Sequence, residues 1–383
     1  MTFARFMDLA LTHPEAGYYA RAARVLGEGG DFTTAPRNAP AFNRAVAGLL
    51  ADIAQAADRP VLIIELGAGE GDLAAGVLGF WAETSPSLRS RVGYRLVDLS
   101  PGLRGRQSAA VLPFRERGWD VEVAATGGGA SRPAADGRYV IILMNEFLDA
   151  LPVHVVDVTG DRPREAWVRA LPSGGGHVPV EEWDSLSPAA EGELRRLFGS
   201  IEASALRRLT RDGRIELRPA VGTLLGGWVG RCPDRGLVTF DYGEWFLGPE
   251  EERPAEGVPR AREERLAREP PMDRHPPYAE TRRGYFRHQL TRDPLTRVGR
   301  QDLTADVDFR ALDLHGRECG LETVVYTNMA AFLKVMGAGD ELERLRLEAR
   351  CSLEADAEAA VLGALVDGAA MGGAFKLMLQ VTA

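Results

Sequence analysis

One stretch constrains this chain more than any other: Val61-Leu62-Ile63-Ile64-Glu65-Leu66, which stops at Gly67-Ala68-Gly69-Glu70-Gly71. The run is too short for a helix, rich in β-branched residues and almost without polar alternation. A strand of that kind is covered on both faces, as in a parallel sheet. Tyr94–Asp98, Tyr139–Met144 and Leu237–Asp241 repeat the pattern, and Leu321–Thr327 and Ala374–Val381 supply two late strands. Residues 2–12, 40–57, 72–83 and 101–117 carry apolar residues at helical spacing, with His13-Pro14 ending the first and Pro101 suited to the first turn of the last. Strands alternating with helices specify an α/β fold: a mostly parallel sheet with helices on both faces.

The expected organisation has four parts. Residues 1–60 form an N-terminal helical or cap segment and 61–151 the first half of the core. Residues 152–218, with a β-like segment, Gly174-Gly175-Gly176 and two helices, form an inserted subdomain. Residues 219–383 complete the core and carry a mobile, solvated loop at 248–280, which is rich in Pro, Glu and Arg.

Composition enters where it excludes partners. The net charge is −9, a poor electrostatic match for nucleic acid. Of the basic residues only Lys334 and Lys376 are lysine, a bias of high-GC bacterial genomes. Cys232, Cys319 and Cys351 are far apart and at no metal-binding spacing, so no metal is expected and a reducing cytoplasm is. The first fifteen residues lack the apolar core of a signal peptide, and no window reaches the ~18–20 apolar residues of a membrane span. A homodimer stays open.

The glycine turn gives the first chemical assignment. Gly67, Ala68, Gly69 and Gly71 let a ligand approach the backbone at a helix N-terminus. The spacing is G-x-G-x-G, not the G-x-G-x-x-G of dinucleotide folds, and Glu65 stands two residues before it. A carboxylate there repels a pyrophosphate, whereas the ammonium group of S-adenosylmethionine is attracted to it. An NAD-dependent oxidoreductase is disfavoured for the same reason. Asp98, with Leu99 beside it, ends the second strand, where an acid can accept hydrogen bonds from a ribose diol. It lies 31 residues beyond Gly67, more than the usual spacing of about 20, which a longer helix and the 85–93 loop would absorb.

Met144-Asn145-Glu146-Phe147-Leu148-Asp149-Ala150-Leu151-Pro152 places polar residues abruptly at the carboxyl end of a buried strand, the edge where open α/β sheets bind ligands. Asn145 joins the cofactor set. Glu146 and Asp149 are candidates to orient or deprotonate a methyl acceptor, the alternative being a helix start capped by Asn145. Asp241-Tyr242-Gly243 repeats the theme, with Asp241 the third candidate acid. His288 and His315 are candidates by residue type alone.

Taken in order, these motifs resemble the MidA/NDUFAF7-like (DUF185) methyltransferases. The matching pieces are Gly17-Tyr18-Tyr19, Gly30-Asp31-Phe32-Thr33-Thr34-Ala35-Pro36, Glu65 to Gly71, Asn145 to Val153, Asp241-Tyr242-Gly243, Gln301 to Phe309, and Met371 to Lys376. The resemblance implies a Rossmann-like class I methyltransferase core with an N-terminal helical segment and an inserted subdomain. It also implies that Asp31, Phe32 and Thr33 close over S-adenosylmethionine and that Asn145-Glu146 faces the methyl group. The chain departs from the family pattern at Arg37, Asn43-Arg44, Asp306 and Thr327-Asn328, on elements expected to face the substrate. Three functions follow: a protein methyltransferase acting on arginine, a small-molecule methyltransferase, and a cofactor-binding assembly protein with little catalysis.

Overall fold

The computed structural model describes residues 1–21, 39–125, 137–229, 234–246, 276–287, 289–349 and 352–382. Its strands are β1 Val61–Leu66, β2 Val92–Asp98, β3 Asp120–Ala125, β4 Tyr139–Asn145, β5 His154–Asp157, β6 Arg164–Ser173, β7 Gly176–Asp184, β8 Arg214–Leu217, β9 Arg235–Glu244, β10 Arg283–Phe286, β11 Gln289–Thr291, β12 Asp302–Thr304, β13 Val307–Asp308, β14 Leu321–Asn328 and β15 Phe375–Thr382.

The main sheet runs β3-β2-β1-β4-β9-β15-β14, with the short β13 also on β9. All its contacts are parallel except those of β15, which lies antiparallel between β9 and β14. Side chains of successive residues leave a strand on opposite faces, and here they sort into two separate cores. Val61, Ile63, Leu96, Ile141 and Leu143 meet helices Pro40–Ala56, Asp72–Thr84 and the C-terminal helices Met329–Val335, Ala338–Glu348 and Leu353–Val366. Leu62, Ile64, Leu66, Val97, Val140, Ile142 and Met144 meet Ala220–Trp228 and Phe309–Glu318. Double coverage explains why these strands lack polar alternation.

The inserted region is a second sheet, β7-β6-β5-β8, wholly antiparallel. Val155 and Ala166 on one face pack on the N-terminal helix Phe3–Thr12 through Phe3, Phe6, Met7 and Leu11. Val156, Ile215 and Leu217 on the other face pack on helices Pro188–Phe198 and Ala203–Arg207. Three expectations change. Residues 1–60 are not one cap, because Phe3–Thr12 belongs to the inserted sheet and Pro40–Ala56 to the main core. The single β-like segment is four strands, of which β7 has no fully buried residue. Residues 276–280, expected in a mobile loop, hold Tyr278, which is buried and donates to Asp308 Oδ2 at 2.6 Å. The remainder of that loop up to residue 275 lies outside the described residues.

Candidate active site

Strand order reverses between β2-β1 and β4-β9, and a crevice opens beyond the carboxyl ends of strands at such a point. A cavity of about 410 Å³ lies there. Its walls come from the ends of β1, β2 and β4, from Thr12 and Tyr19 of the N-terminal segment, and from Leu224 and Trp228 one helical turn apart.

One end is built by the glycine turn. Gly67 has φ 67°, and a Cβ on it would lie 2.4 Å from Cδ2 of Phe147, so backbone and ring are in direct apposition. Glu65 is buried and accepts from the Tyr94 hydroxyl at 2.7 Å. Burial pushes its carboxyl up to about 8, against the Tyr94 hydrogen bond and with help from the neighbouring Asp72 and Asp98. Asp98 accepts from Ser100 N at 2.8 Å on one oxygen and from Gln107 Nε2 at 3.3 Å on the other. Burial raises it to about 6. Gln107 Nε2 also donates to the Gly69 carbonyl at 2.9 Å, tying the turn to the strand-end acid. Leu99 is strongly exposed on the rim and is held by Arg104, which donates to its carbonyl at 2.8 Å. Asn145 lines the same space, and its buried Oδ1 has no hydrogen-bond partner. An orphaned buried acceptor, a buried acid and a bare-backbone turn together fit an ammonium-bearing nucleoside.

The adjoining wall is built by the turn after β4. Glu146 lines the cavity with φ 48°, a left-handed conformation rare outside glycine. Its N–H donates to Phe240 O at 2.8 Å, and its Oε1 accepts from Asn145 Nδ2 at 3.4 Å. No helix starts here. The next three amides, of Phe147, Leu148 and Asp149, all donate to Oδ2 of Asp241, at 3.1, 2.8 and 3.3 Å. The capping alternative for Asn145 thus gives way to a cap supplied by the neighbouring strand. Arg218, also buried, donates to the carbonyls of Asp149, Leu151, Ala305 and Asp306.

Of the sequence-predicted residues, Glu65, Gly67, Ala68, Gly69, Asp98, Leu99, Asn145 and Glu146 line the cavity. Three do not. Gly71 serves backbone geometry: it precedes helix Asp72–Thr84 with φ 91° and packs on Gln107. Asp149 and Asp241 are buried behind the turn, whose amides hold the Asp241 carboxylate, while the positive charge of Arg218 stands near the Asp149 carboxyl. Burial raises Asp149 to about 6, opposed by Arg218, and raises Asp241 as well, with Asp149 adding to the effect. Asp31, Phe32, Thr33 and His288 lie outside the described residues. His315 is a structural joint, its Nε2 lying 2.8 Å from Glu193 Oε1 of the inserted subdomain. Asp306 pairs with Arg283 at 2.6 Å. Tyr94, Gln107, Arg218, Leu224 and Trp228 escaped the sequence reading. Only the last two left a trace, as the cavity-facing half of an apolar stripe shared with the buried Val221 and Leu225.

Fold and site define a class I S-adenosylmethionine-dependent methyltransferase. A family model of S-adenosyl-L-methionine-dependent methyltransferases, Methyltransf_28, matches residues 45–327, and the chain belongs to that family. Among curated relatives it is 27% identical to the rat mitochondrial protein arginine methyltransferase NDUFAF7, over 90% of this chain and 72% of that one. The human protein of that name is 26% identical with the same coverage. A Burkholderia thailandensis protein crystallised with S-adenosyl-homocysteine superposes with a TM-score of 0.74 at 26% identity, covering all of this chain and 87% of its own.

Proposed function

We propose that this methyltransferase modifies a protein side chain, and that the acceptor is the guanidinium of arginine. The observation that carries the proposal is Glu146. It is a cavity-lining carboxylate just after β4, between Asn145 and Phe147, which line the same space. The naming of the rat and human relatives as protein arginine methyltransferases supports it.

The bound cofactor supplies a methyl group on a sulfonium, open to in-line displacement. Glu65, Asp98, Asn145 and the Gly67–Gly69 backbone would hold it. The chain then has to align an acceptor nitrogen, exclude water and dispose of one proton. Glu146 suits two of these tasks: a carboxylate pairs with a guanidinium and can take the proton that the methylated nitrogen releases. Phe147, Leu151, Leu224 and Trp228 supply apolar wall that keeps water out.

A second reading, a small-molecule acceptor, draws on the same apolar wall and on Asp306, one of the positions where the chain departs from the family pattern, which pairs with Arg283. Incubation of the enzyme with methyl-labelled cofactor and a lysate separates the two. Label in a protein band, recovered as methylarginine after hydrolysis, is the expected result. Label confined to a low-mass fraction overturns the arginine assignment in favour of a small acceptor.

A further inference from the structure

Asp241 is wholly buried on β9 and touches the cavity nowhere, yet it has four backbone donors. Oδ2 accepts the amides of Phe147, Leu148 and Asp149, and Oδ1 accepts the amide of Tyr242 at 2.8 Å. Three successive N–H groups converging on one oxygen form an anion nest, and the nest here is filled from within the protein. What it shapes is the part of the chain that faces both ligands. Glu146 enters the turn with a left-handed backbone that its own side chain disfavours, and Phe147 leaves it with its ring against Gly67. Beyond Asn145 the segment makes neither helix nor strand, and its local bonds include a turn bond from Leu151 N–H to Leu148 O at 3.1 Å and that from Asn145 Nδ2 to Glu146 Oε1.

We infer that Asp241 is a positioning residue: its carboxylate fixes the 146–149 turn and through it seats Phe147 against the cofactor turn and Glu146 at the acceptor end. The assignment needs the cofactor site alone, whatever the acceptor is. It also predicts that asparagine is no substitute. Both carboxylate oxygens accept, and an amide would turn an N–H₂ toward either the three turn amides or Tyr242 N–H.

The test is a double-mutant cycle read by S-adenosylhomocysteine binding to the full chain in calorimetry. D241N should weaken binding about tenfold, or 1.4 kcal/mol, and F147A by a similar factor. Because Asp241 acts through Phe147, the double variant should bind no more than about twofold worse than the weaker single variant. Wild-type affinity in D241N, or losses that multiply in the double variant, overturns the assignment. Amide exchange on the unmodified chain decides the matter if D241N does not fold. The amides of Phe147, Leu148 and Asp149 should exchange as slowly as those of β4, and exchange at the rate of open-loop amides overturns the assignment equally.

Discussion

Gly67 has two reasons to carry no side chain. Its φ of 67° excludes β-branched residues, and the space where a Cβ would stand is taken by Phe147. Gly67→Val is therefore expected to abolish S-adenosylhomocysteine binding in calorimetry, and retained affinity would remove the turn from the site. Glu65 makes a prediction about protons. Its folded carboxyl is raised to about 8 by burial, so it is mostly protonated at neutral pH without ligand. The ligand's ammonium favours the carboxylate and lowers that value. Between the two values binding releases a proton, and affinity climbs as pH rises, levelling off above about 8. The ligand's own α-amino group titrates in the same range, so Glu65→Gln is the control. Proton release, measured by calorimetry in buffers of different ionisation enthalpy, should be smaller in the variant. Equal release in the two proteins would mean that Glu65 does not meet the ammonium. Both residues were legible in the sequence because backbone torsion and charge beside a turn are local properties. Tyr94 and Gln107 were not, since the bond from Tyr94 to Glu65 and that from Gln107 to the Gly69 carbonyl exist only once β1 and β2 lie side by side.

At the scale of elements, the turn after β4 is secured from two sides by buried groups of opposite sign, Asp241 through amides and Arg218 through carbonyls. Arg218 spans Asp149 and Leu151 on one segment and Ala305 and Asp306 on the other. Removing it takes a donor from each of those carbonyls and the foremost neighbouring positive charge from Asp149 and Asp241. Arg218→Ala should cost about 3–5 kcal/mol in urea unfolding. Arg218→Lys should recover only part of it, because an ammonium cannot reproduce the guanidinium fork. Full recovery by lysine would show that charge alone matters. β1 and β4 were readable because burial on both faces writes a continuous apolar run. β3 was missed: at the sheet edge it alternates exposed and buried positions over only six residues. The inserted sheet was read as one segment because β7 carries Glu181, Glu182 and Asp184 and follows no apolar pattern. The acids after β4 were visible as a cluster, but which of them faces the cavity depends on a hydrogen bond from a strand more than ninety residues away.

Of the three sheets among the described residues, the main sheet and the inserted sheet bury their apolar residues in separate sets. The core that joins the Phe3–Thr12 helix to β5 and β6 shares no residue with either face of the main sheet. Cofactor-side groups stand on β1, β2 and β4, whereas Thr12 and Tyr19 reach the cavity from the other body, with the Tyr19 hydroxyl 3.0 Å from Asp302 Oδ1. Thr12 and Tyr19 thus approach the cavity from a body whose core is separate from the one that carries β1, β2 and β4, and the two are expected to loosen separately. Phe3→Ala tests this. Phe3 is buried, with the Arg282 guanidinium 4.4 Å above its ring, so its truncation should cost the second body about 3–5 kcal/mol. Hydrogen exchange should then rise in residues 3–12 and in β5 and β6, while β1 and β4 keep their protection and S-adenosylhomocysteine affinity stays close to wild type. If β1 and β4 lost protection to the same extent, the two bodies would unfold as one unit and the side that carries Thr12 and Tyr19 could not open while cofactor stays bound.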